Sequence, residues 1–153
     1  NHMKVLIVCS SVHHGNTEKV AKAMAGELGA RLLRPSEVTL EMVGDCDLIG
    51  FGSGIYRSQF HRSMLNLVDS LPAAPGKRAF VFSTSGLGKA GYNKRFMAKL
   101  AEKGYKVIGQ FHCKGFDTYG PLKLVGGISK ARPNSDDLER AAAFAHELKT
   151  KFA

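Results

Sequence analysis

The chain has 153 residues and a mass of 16.6 kDa, and 44% of its residues are hydrophobic, which is enough to bury one core. None of its apolar runs approaches the roughly 20 residues of a membrane-spanning helix, so we expect no membrane insertion and a cytoplasmic protein. Its 22 basic and 13 acidic residues give a net charge of +9, which attracts anionic partners. The basic residues are dispersed and no aromatic–basic recognition motif accompanies them, so nucleic acid is not favoured.

The ends of the chain and its cysteines carry two further expectations. We interpret residues 1–3 (NHM) as a two-residue expression remnant followed by the native start methionine, and we expect a single domain over residues 3–153. The cysteines Cys9, Cys46 and Cys113 are odd in number and widely spaced, without a C-x-x-C motif. This spacing argues against a zinc or dithiol site and predicts three reduced thiols.

Short apolar runs alternate with segments of helical periodicity along the whole chain. The apolar runs predict five strands, at Val5–Cys9, Arg31–Arg34, Leu48–Phe51, Ala79–Phe82 and Val107–Phe111. Apolar residues at helical spacing predict four helices, over Thr17–Leu28, from Phe60 to Leu71, around Phe96–Ala101 and over Asp136–Phe152. The alternation predicts an α/β fold, a three-layer α/β/α sandwich around a parallel sheet of five strands.

The first predicted strand leads directly into a turn rich in hydroxyl groups. The turn and the helix start after it contain the candidate residues Ser10, Ser11, His13, His14, Gly15, Asn16 and Thr17. Backbone N–H groups and the dipole at a helix start attract an anion, and hydroxyl groups donate further hydrogen bonds, so this segment predicts a phosphate site. The alternative for Asn16 is an ordinary helix cap, and the two histidines either bind the anion or are solvated.

Other phosphate-handling proteins lack support in the sequence. A response regulator needs carboxylates after the first and third strands, whereas this chain has serines and glycines there. A nucleoside triphosphatase loop, G-x-x-x-x-G-K-[ST], is missing. The match of Gly86–Gly91 to G-x-G-x-x-G follows the fourth strand instead of the first. Low-molecular-weight tyrosine phosphatases place an Arg six positions after their Cys, and Gly15 stands at that position here.

Two more glycine-rich and hydroxyl-rich segments follow the third and fourth predicted strands. In a parallel sheet of this type, ligands bind at the carboxyl ends of the strands. We therefore expect three loops to meet there, Ser10–Asn16, Ser53–Gln59 and Ser83–Asn93.

These three segments together resemble the cofactor-binding loops of the flavodoxin family. Ser10-Ser11-x-x-x-Gly15-Asn16-Thr17 resembles its phosphate loop, and the other two segments resemble the loops that flank its flavin ring. The resemblance implies strand order 2-1-3-4-5, non-covalent flavin mononucleotide (FMN) and electron transfer with a redox partner. It also implies that the flavin lies against Ser53, Gly54, Ile55, Tyr56, Arg57, Ser83, Thr84, Ser85, Gly86 and Tyr92, with Tyr56 the first candidate to stack on the ring and Tyr92 the second.

Flavodoxins are usually acidic around the flavin, whereas this chain is basic. The expected basic rim consists of Arg57, Arg62, Lys89, Lys94 and Arg95. Cations beside the ring favour its reduced, more negative form, so we expect a less negative reduction potential than in an acidic flavodoxin and an acidic redox partner.

Two alternatives remain open at this point. The stretch Gly52–Leu71 also resembles flavodoxin-like protoporphyrinogen oxidase, which implies an enzyme that acts on a porphyrinogen, a quinone or NAD(P)H. Arg57, Lys89 or Arg95 would then hold an anionic substrate. The second alternative is an interaction domain without flavin. The segment Lys114–Asn134 is expected either to cover the site or to form a dimer contact.

Overall fold

The structure is a computed structural model, and it describes residues 3–10, 15–87, 91–115 and 132–152. Its strands are β1 (Val5–Ser10), β2 (Arg31–Leu33), β3 (Leu48–Tyr56), β4 (Gln59–Phe60), β5 (Arg78–Ser85) and β6 (Lys106–Lys114). Its α-helices are α1 (Asn16–Leu28), α2 (Leu40–Asp45), α3 (Arg62–Ser70), α4 (Gly91–Glu102) and α5 (Ser135–Phe152), and a short 3-10 helix spans Pro35–Glu37.

The main sheet has the predicted topology. Its strands follow the order β2-β1-β3-β5-β6, and every neighbouring pair in this order is parallel. With the small antiparallel strand β4 set aside, this is the predicted order 2-1-3-4-5, and the three-layer sandwich is confirmed. The order reverses between β1 and β3, so the crevice at their carboxyl ends is where a ligand is expected in such a sheet.

Two apolar layers cover the two faces of the sheet. On one face α1 and α5 pack around Met24, Phe80 and Phe82, and on the other α3 and α4 pack around Met64 and Phe96. Each layer takes alternate residues of the strands, since successive side chains of a strand point to opposite faces.

Glycines in β3 make room for the aromatic rings of the first layer. A Cβ at Gly50 would lie 2.2 Å from the Phe80 ring, and one at Gly52 would lie 2.1 Å from the Phe82 ring. Both glycines are therefore packing requirements of the core. The rings of Phe80 and Phe82 can lie across β3 because Gly50 and Gly52 have no side chain beyond hydrogen.

Several predicted boundaries are wrong, and the errors concern the candidate site. β3 continues to Tyr56 and β5 to Ser85, so the residues Ser53–Tyr56 and Ser83–Ser85 are strand and not loop. Their glycines and serines remain extended because each strand is paired on both sides. The sequence analysis also missed β4 and α2. In the described part of the chain, no helix is both long enough and apolar enough to cross a membrane.

Candidate functional site

A row of three serines crosses the carboxyl-terminal edge of the sheet. Ser10 of β1 is in register with Ser53 of β3, which is in register with Ser83 of β5. All three side chains are buried, Ser53 completely. Thr84, one position beyond Ser83, is buried on the opposite face of the sheet. Buried hydroxyl groups at the end of an apolar sheet form a compact set of neutral hydrogen-bond donors and acceptors.

Helix α1 begins at this edge without a side-chain cap. Its N-cap residue is Gly15, in the left-handed conformation with φ of 62°, and glycine has no side chain that could cap the helix. The alternative that Asn16 caps this helix is therefore wrong, because Asn16 is already its first helical residue. Asn16 and Thr17 are buried in the first turn. A helix start of this kind turns its backbone N–H groups and the positive end of its dipole towards the crevice.

Two contacts hold the first turn of α1 against the neighbouring strands. Thr17 Oγ1 lies 2.8 Å from Thr84 Oγ1 in a buried hydrogen bond. On the other side, Gly115 approaches Asn16 so closely that a Cβ at Gly115 would lie 3.0 Å from Asn16 Nδ2. Gly115 N–H donates to Ser85 O at 2.9 Å, which fixes the end of β6 over this turn. The start of α1 and the ends of β5 and β6 therefore lie together at one edge of the sheet.

The β3–β4 hairpin carries the predicted ring-stacking residue. Its two-residue turn consists of Arg57 and Ser58, which have φ of 52° and 65°. Positive φ at both central residues is the conformation of the tight hairpin turns that match strand twist, and it is unfavourable for residues other than glycine and asparagine. Tyr56, just before this turn, is half-buried, and its ring meets the His61 ring edge-on at 5.2 Å.

A hydrogen-bonded group that the sequence analysis missed connects this hairpin to β1. His61 is the N-cap residue of α3, and its Nδ1 accepts from Ser63 N–H at 3.1 Å. Ser63 Oγ donates to Ser10 Oγ at 3.1 Å. His61 N–H donates to Ser53 Oγ at 2.9 Å, so two serines of the row are tied to α3. In the sequence, this group is indicated only by a histidine that stands two residues before a serine at the start of a predicted helix.

A cleft of about 590 Å³ lies next to this group, towards β2. Its lining includes Ser10, His61 and Ser63 on one side and the charged residues Glu18, Arg34 and Glu37 on the other. The cleft has room for a small molecule, and it reaches the serine row from the side of the sheet that α3 covers.

The start of α4 contributes a second buried polar residue that the sequence analysis did not single out. Asn93 is completely buried, and its Nδ2 donates to Gln110 Oε1 and to Phe111 O. Its Oδ1 is a buried acceptor that has no hydrogen-bond partner among the residues that the structure describes. These bonds anchor the first turn of α4, and with it the half-buried Tyr92, to β6.

The thiol nearest to the site does not have the properties of a nucleophile. Cys9 precedes Ser10 in β1, and burial raises the pKa of its thiol to about 12. A thiol with this pKa is protonated at neutral pH, whereas the reactive form of cysteine is the thiolate. Cys9, Cys46 and Cys113 are all buried and free, as expected. Among the described residues, no group of three or more His, Cys, Asp or Glu side chains could hold a metal ion.

The structure brings together most of the predicted site residues that it describes. Ser10, Asn16, Thr17, Ser53, Ser83 and Thr84 meet at the sheet edge, and Gly15 begins the helix there. Ile55 differs, because its side chain packs against the core under α3 and α4, so only its backbone faces the edge. Gly54, Tyr56 and Arg57 lie in the hairpin, Ser85 and Gly86 at the end of β5, and Tyr92 in α4. Ser11, His13, His14 and Lys89 lie outside the described residues, as does most of Lys114–Asn134.

The comparison with protein families agrees with this arrangement. The family model described as a flavodoxin domain matches residues 6–119, which is most of the chain. The chain belongs to the flavodoxin family. Membership in this family implies a flavin cofactor.

Individual relatives resemble the chain over nearly its whole length. An uncharacterized protein of Methanocaldococcus jannaschii is 43% identical over 148 residues, which cover 95% of this chain and 98% of that protein. A flavodoxin from the domain Archaea matches with a TM-score of 0.73 and 19% identity over 97% of this chain and 98% of its own. Flavodoxin 2 from Bacillus cereus matches with a TM-score of 0.73 and 21% identity over 97% and 99%. At these identities the two solved structures support the fold alone.

Proposed function

We propose that this protein binds FMN non-covalently and transfers electrons between redox partners. The observation that carries the proposal is the uncapped start of α1 beside the buried hydroxyl groups of Ser10 and Thr17. Such a site offers an anion many neutral donors together with the helix dipole, which suits a terminal phosphate.

The residues present fit the cofactor. Ser10, Asn16 and Thr17 would hold the phosphate through side-chain groups and first-turn N–H groups, as the sequence analysis expects, with Ser11, His13 and His14 as further candidates. The half-buried Tyr56 and Tyr92 are aromatic surfaces near the carboxyl edge of the sheet, where a flat ring would lie. When bound, the flavin supplies one- and two-electron redox chemistry, and the protein positions it and tunes its potential.

The stretch from β3 to α4 is basic, whereas the carboxylates Glu18 and Glu37 line the cleft beside Ser10. Between residues 48 and 101 there is one carboxylate, Asp69, and it forms an ion pair with Lys99 at 2.8 Å. The same stretch contains eight basic residues, which include the five of the expected rim. This supports a less negative reduction potential and an acidic redox partner. The three buried, unpaired cysteines support a cytoplasmic location.

A flavin-dependent oxidoreductase is the second candidate, and the cleft favours it. A volume of about 590 Å³ beside Ser10 and His61 is within the range of small-molecule sites. The substrate would be NAD(P)H, a quinone or a porphyrinogen. The cleft favours the enzyme only where the flavin leaves it open to a substrate, because the partner of an electron carrier approaches the exposed ring edge.

FMN binding is the first measurement. The purified protein is mixed with FMN or with riboflavin, which lacks the phosphate, and the flavin that remains after gel filtration is quantified. We expect one FMN per chain and much weaker retention of riboflavin. Equal retention of the two flavins would contradict the phosphate site, and no retention of either would contradict the proposed function and favour an interaction domain.

Stepwise anaerobic reduction of the FMN-loaded protein then separates the two candidates. Two well-separated one-electron potentials are the expected result for a carrier. A single two-electron step, together with saturable oxidation of NAD(P)H or reduction of a quinone, would favour the enzyme.

A further inference from the structure

His61 and Ser63 form a chain of hydrogen bonds that ends on the first residue of the phosphate segment. Ser63 N–H donates to His61 Nδ1 at 3.1 Å, and the same Nδ1 lies 2.8 Å from Ser63 Oγ. Ser63 Oγ in turn donates to Ser10 Oγ at 3.1 Å. The imidazole is held from its other side by the Tyr56 ring at 5.2 Å.

Two of these contacts require opposite protonation states of Nδ1. If the Ser63 hydroxyl proton points at Ser10, the 2.8 Å contact between Ser63 Oγ and Nδ1 needs a proton on Nδ1. The hydrogen bond from Ser63 N–H needs Nδ1 without a proton. The same arrangement of heavy atoms therefore accommodates two hydrogen-bonding states of His61.

The two states leave the Ser10 hydroxyl with opposite roles. When Nδ1 carries no proton, the Ser63 hydroxyl donates a hydrogen bond to it, and the Ser10 hydroxyl then donates to Ser63 Oγ. With a protonated Nδ1, Ser63 donates to Ser10, and the Ser10 hydroxyl proton is available to a ligand. An anion at the start of α1 needs donors and is bound better in the second state.

We propose that His61 and Ser63 are positioning residues that set the direction of the Ser10 hydroxyl, so that anion binding at this site is coupled to protonation of His61 at Nδ1. This inference rests on the proposed function, since it assumes that the anion is the phosphate of FMN. The proton that Nδ1 gains comes from solvent, so binding of the anion is accompanied by proton uptake.

Several charged groups surround the imidazole and contribute to any pH dependence. Glu18, Arg34 and Glu37 line the same cleft from α1 and from the segment after β2. Arg57 and Arg62 flank His61 in the hairpin turn and in α3. A variant at Ser63 leaves all of these charges and the imidazole itself in place, so it isolates the hydrogen-bonded chain from simple charge effects.

The test compares FMN affinity and proton uptake in four proteins by calorimetry at pH 6 and pH 8, in buffers of different ionisation enthalpy. The variants are Ser63→Ala, which breaks the chain of hydrogen bonds, and His61→Asn, which retains a capping oxygen for α3 but removes the imidazole. Ser70→Ala is the matched control, because its Oγ only donates to Leu67 O at the far end of the same helix. Titration of the FMN phosphate is common to all four and cancels in the comparison.

From pH 6 to pH 8, we expect the FMN affinity of wild type to fall by a factor about tenfold larger than the fall in Ser63→Ala or His61→Asn. Wild type should also take up more protons on binding FMN than either variant. The decisive value is the affinity of Ser63→Ala at pH 8, which should equal or exceed that of wild type because its Ser10 hydroxyl is no longer held by Ser63. Ser70→Ala should behave as wild type. Equal proton uptake in all proteins, or a Ser63→Ala affinity that is lower at both pH values, would overturn the proposal.

A measurement without ligand separates this inference from the proposed function. Nitrogen chemical shifts of His61 report whether Nδ1 carries a proton. In Ser10→Ala the Ser63 hydroxyl loses its acceptor and should turn to Nδ1, so the population with bare Nδ1 should rise. If wild type binds no FMN, the proposed function fails, but this shift still supports the chain. Unchanged His61 shifts in Ser10→Ala would refute the coupling even in a protein that binds FMN.

Discussion

Helices α1 and α5 begin at the same edge of the sheet, but their first turns are satisfied in different ways. At α5, Asn134 Oδ1 accepts from Asp137 N–H at 3.0 Å, and Asp137 Oδ2 accepts from Asn134 N–H at 2.9 Å. This is a reciprocal capping box. At α1, the N-cap position is Gly15, which has no side chain to offer. Helix α5, whose first turn is satisfied by its own capping box, is structural. Helix α1, which has glycine at its N-cap, is the one that we propose binds an anion.

The carboxylate of α5 is held further by two arginines. The Arg132 guanidinium donates to both oxygens of Asp137, and Arg140 lies 3.7 Å from one of them. The Arg132 hydrogen bonds are the main reason that the pKa of Asp137 lies below its usual value of 3.8. The N-cap residue of α1, Gly15, carries no carboxylate, and the acidic residue in its first turn is Glu18, whose Oε2 would lie 4.0 Å from a Cβ at Gly15.

The largest expected effect comes from placing a carboxylate at the α1 terminus. Gly15→Asp should lower FMN affinity by about 100-fold or more, because a negative charge would occupy the anion site. Gly15→Asn is the matched control, since Asn has the same shape and also tolerates positive φ. We expect only a several-fold loss for Asn, measured by fluorescence titration with FMN. Equal losses in the two variants would mean that shape and not charge is responsible.

A smaller effect is expected from the hydroxyl group in the first turn of α1. Thr17→Val keeps the branched shape but removes Oγ1, which should lower FMN affinity by about tenfold. Thr84→Val removes the partner of the 2.8 Å hydrogen bond and tests whether Thr17 acts on the ligand or only on β5. If the double variant loses no more affinity than Thr84→Val alone, Thr17 does not contact the phosphate.

The α5 terminus should affect stability alone. Asp137→Asn removes the charge of the capping box and should lower the free energy of unfolding at pH 7 by about 1 kcal/mol, with FMN affinity unchanged. Because folding lowers the Asp137 pKa, this contribution is complete above the unfolded value of 3.8 and is lost as the pH falls further, through the folded value. Urea unfolding at pH 7 and pH 3 measures it. A difference between wild type and variant that stays constant down to pH 3 would contradict the assignment.

The basic rim should produce the smallest effect. Lys94 and Arg95 are exposed in the first turns of α4, at the carboxyl edge of the sheet. Replacing both with Gln should make the FMN potential more negative by a few tens of mV, about 1 kcal/mol or less after solvent screening. The control is Lys149→Gln/Lys151→Gln, which has the same change in charge at the last turn of α5. This turn lies at the opposite edge of the sheet, where Phe152 O accepts from Arg78. Equal shifts in both pairs, measured potentiometrically, would point to net charge instead of a rim.

Local sequence patterns were sufficient for the layers of the fold. Val5–Val8 and Phe80–Phe82 are apolar runs that only a buried strand explains, and Gly29 ends α1 in the left-handed conformation that glycine favours. The same local rules failed at Gly52-Ser53-Gly54, where glycine and serine indicated a loop. There, pairing with β1 and β5 on both sides outweighed the weak strand preference of these residues.

By itself, the sequence determined the alternation of strands and helices, the hydroxyl-rich turn after β1 and the family, because these depend on residue types that are close together in the chain. Only the tertiary structure decided that Ser10, Ser53 and Ser83 form one buried row, and that Ser63 reaches Ser10 across 53 positions. Strand register and helix docking determine such contacts, and both result from packing over the whole core, which no local pattern encodes.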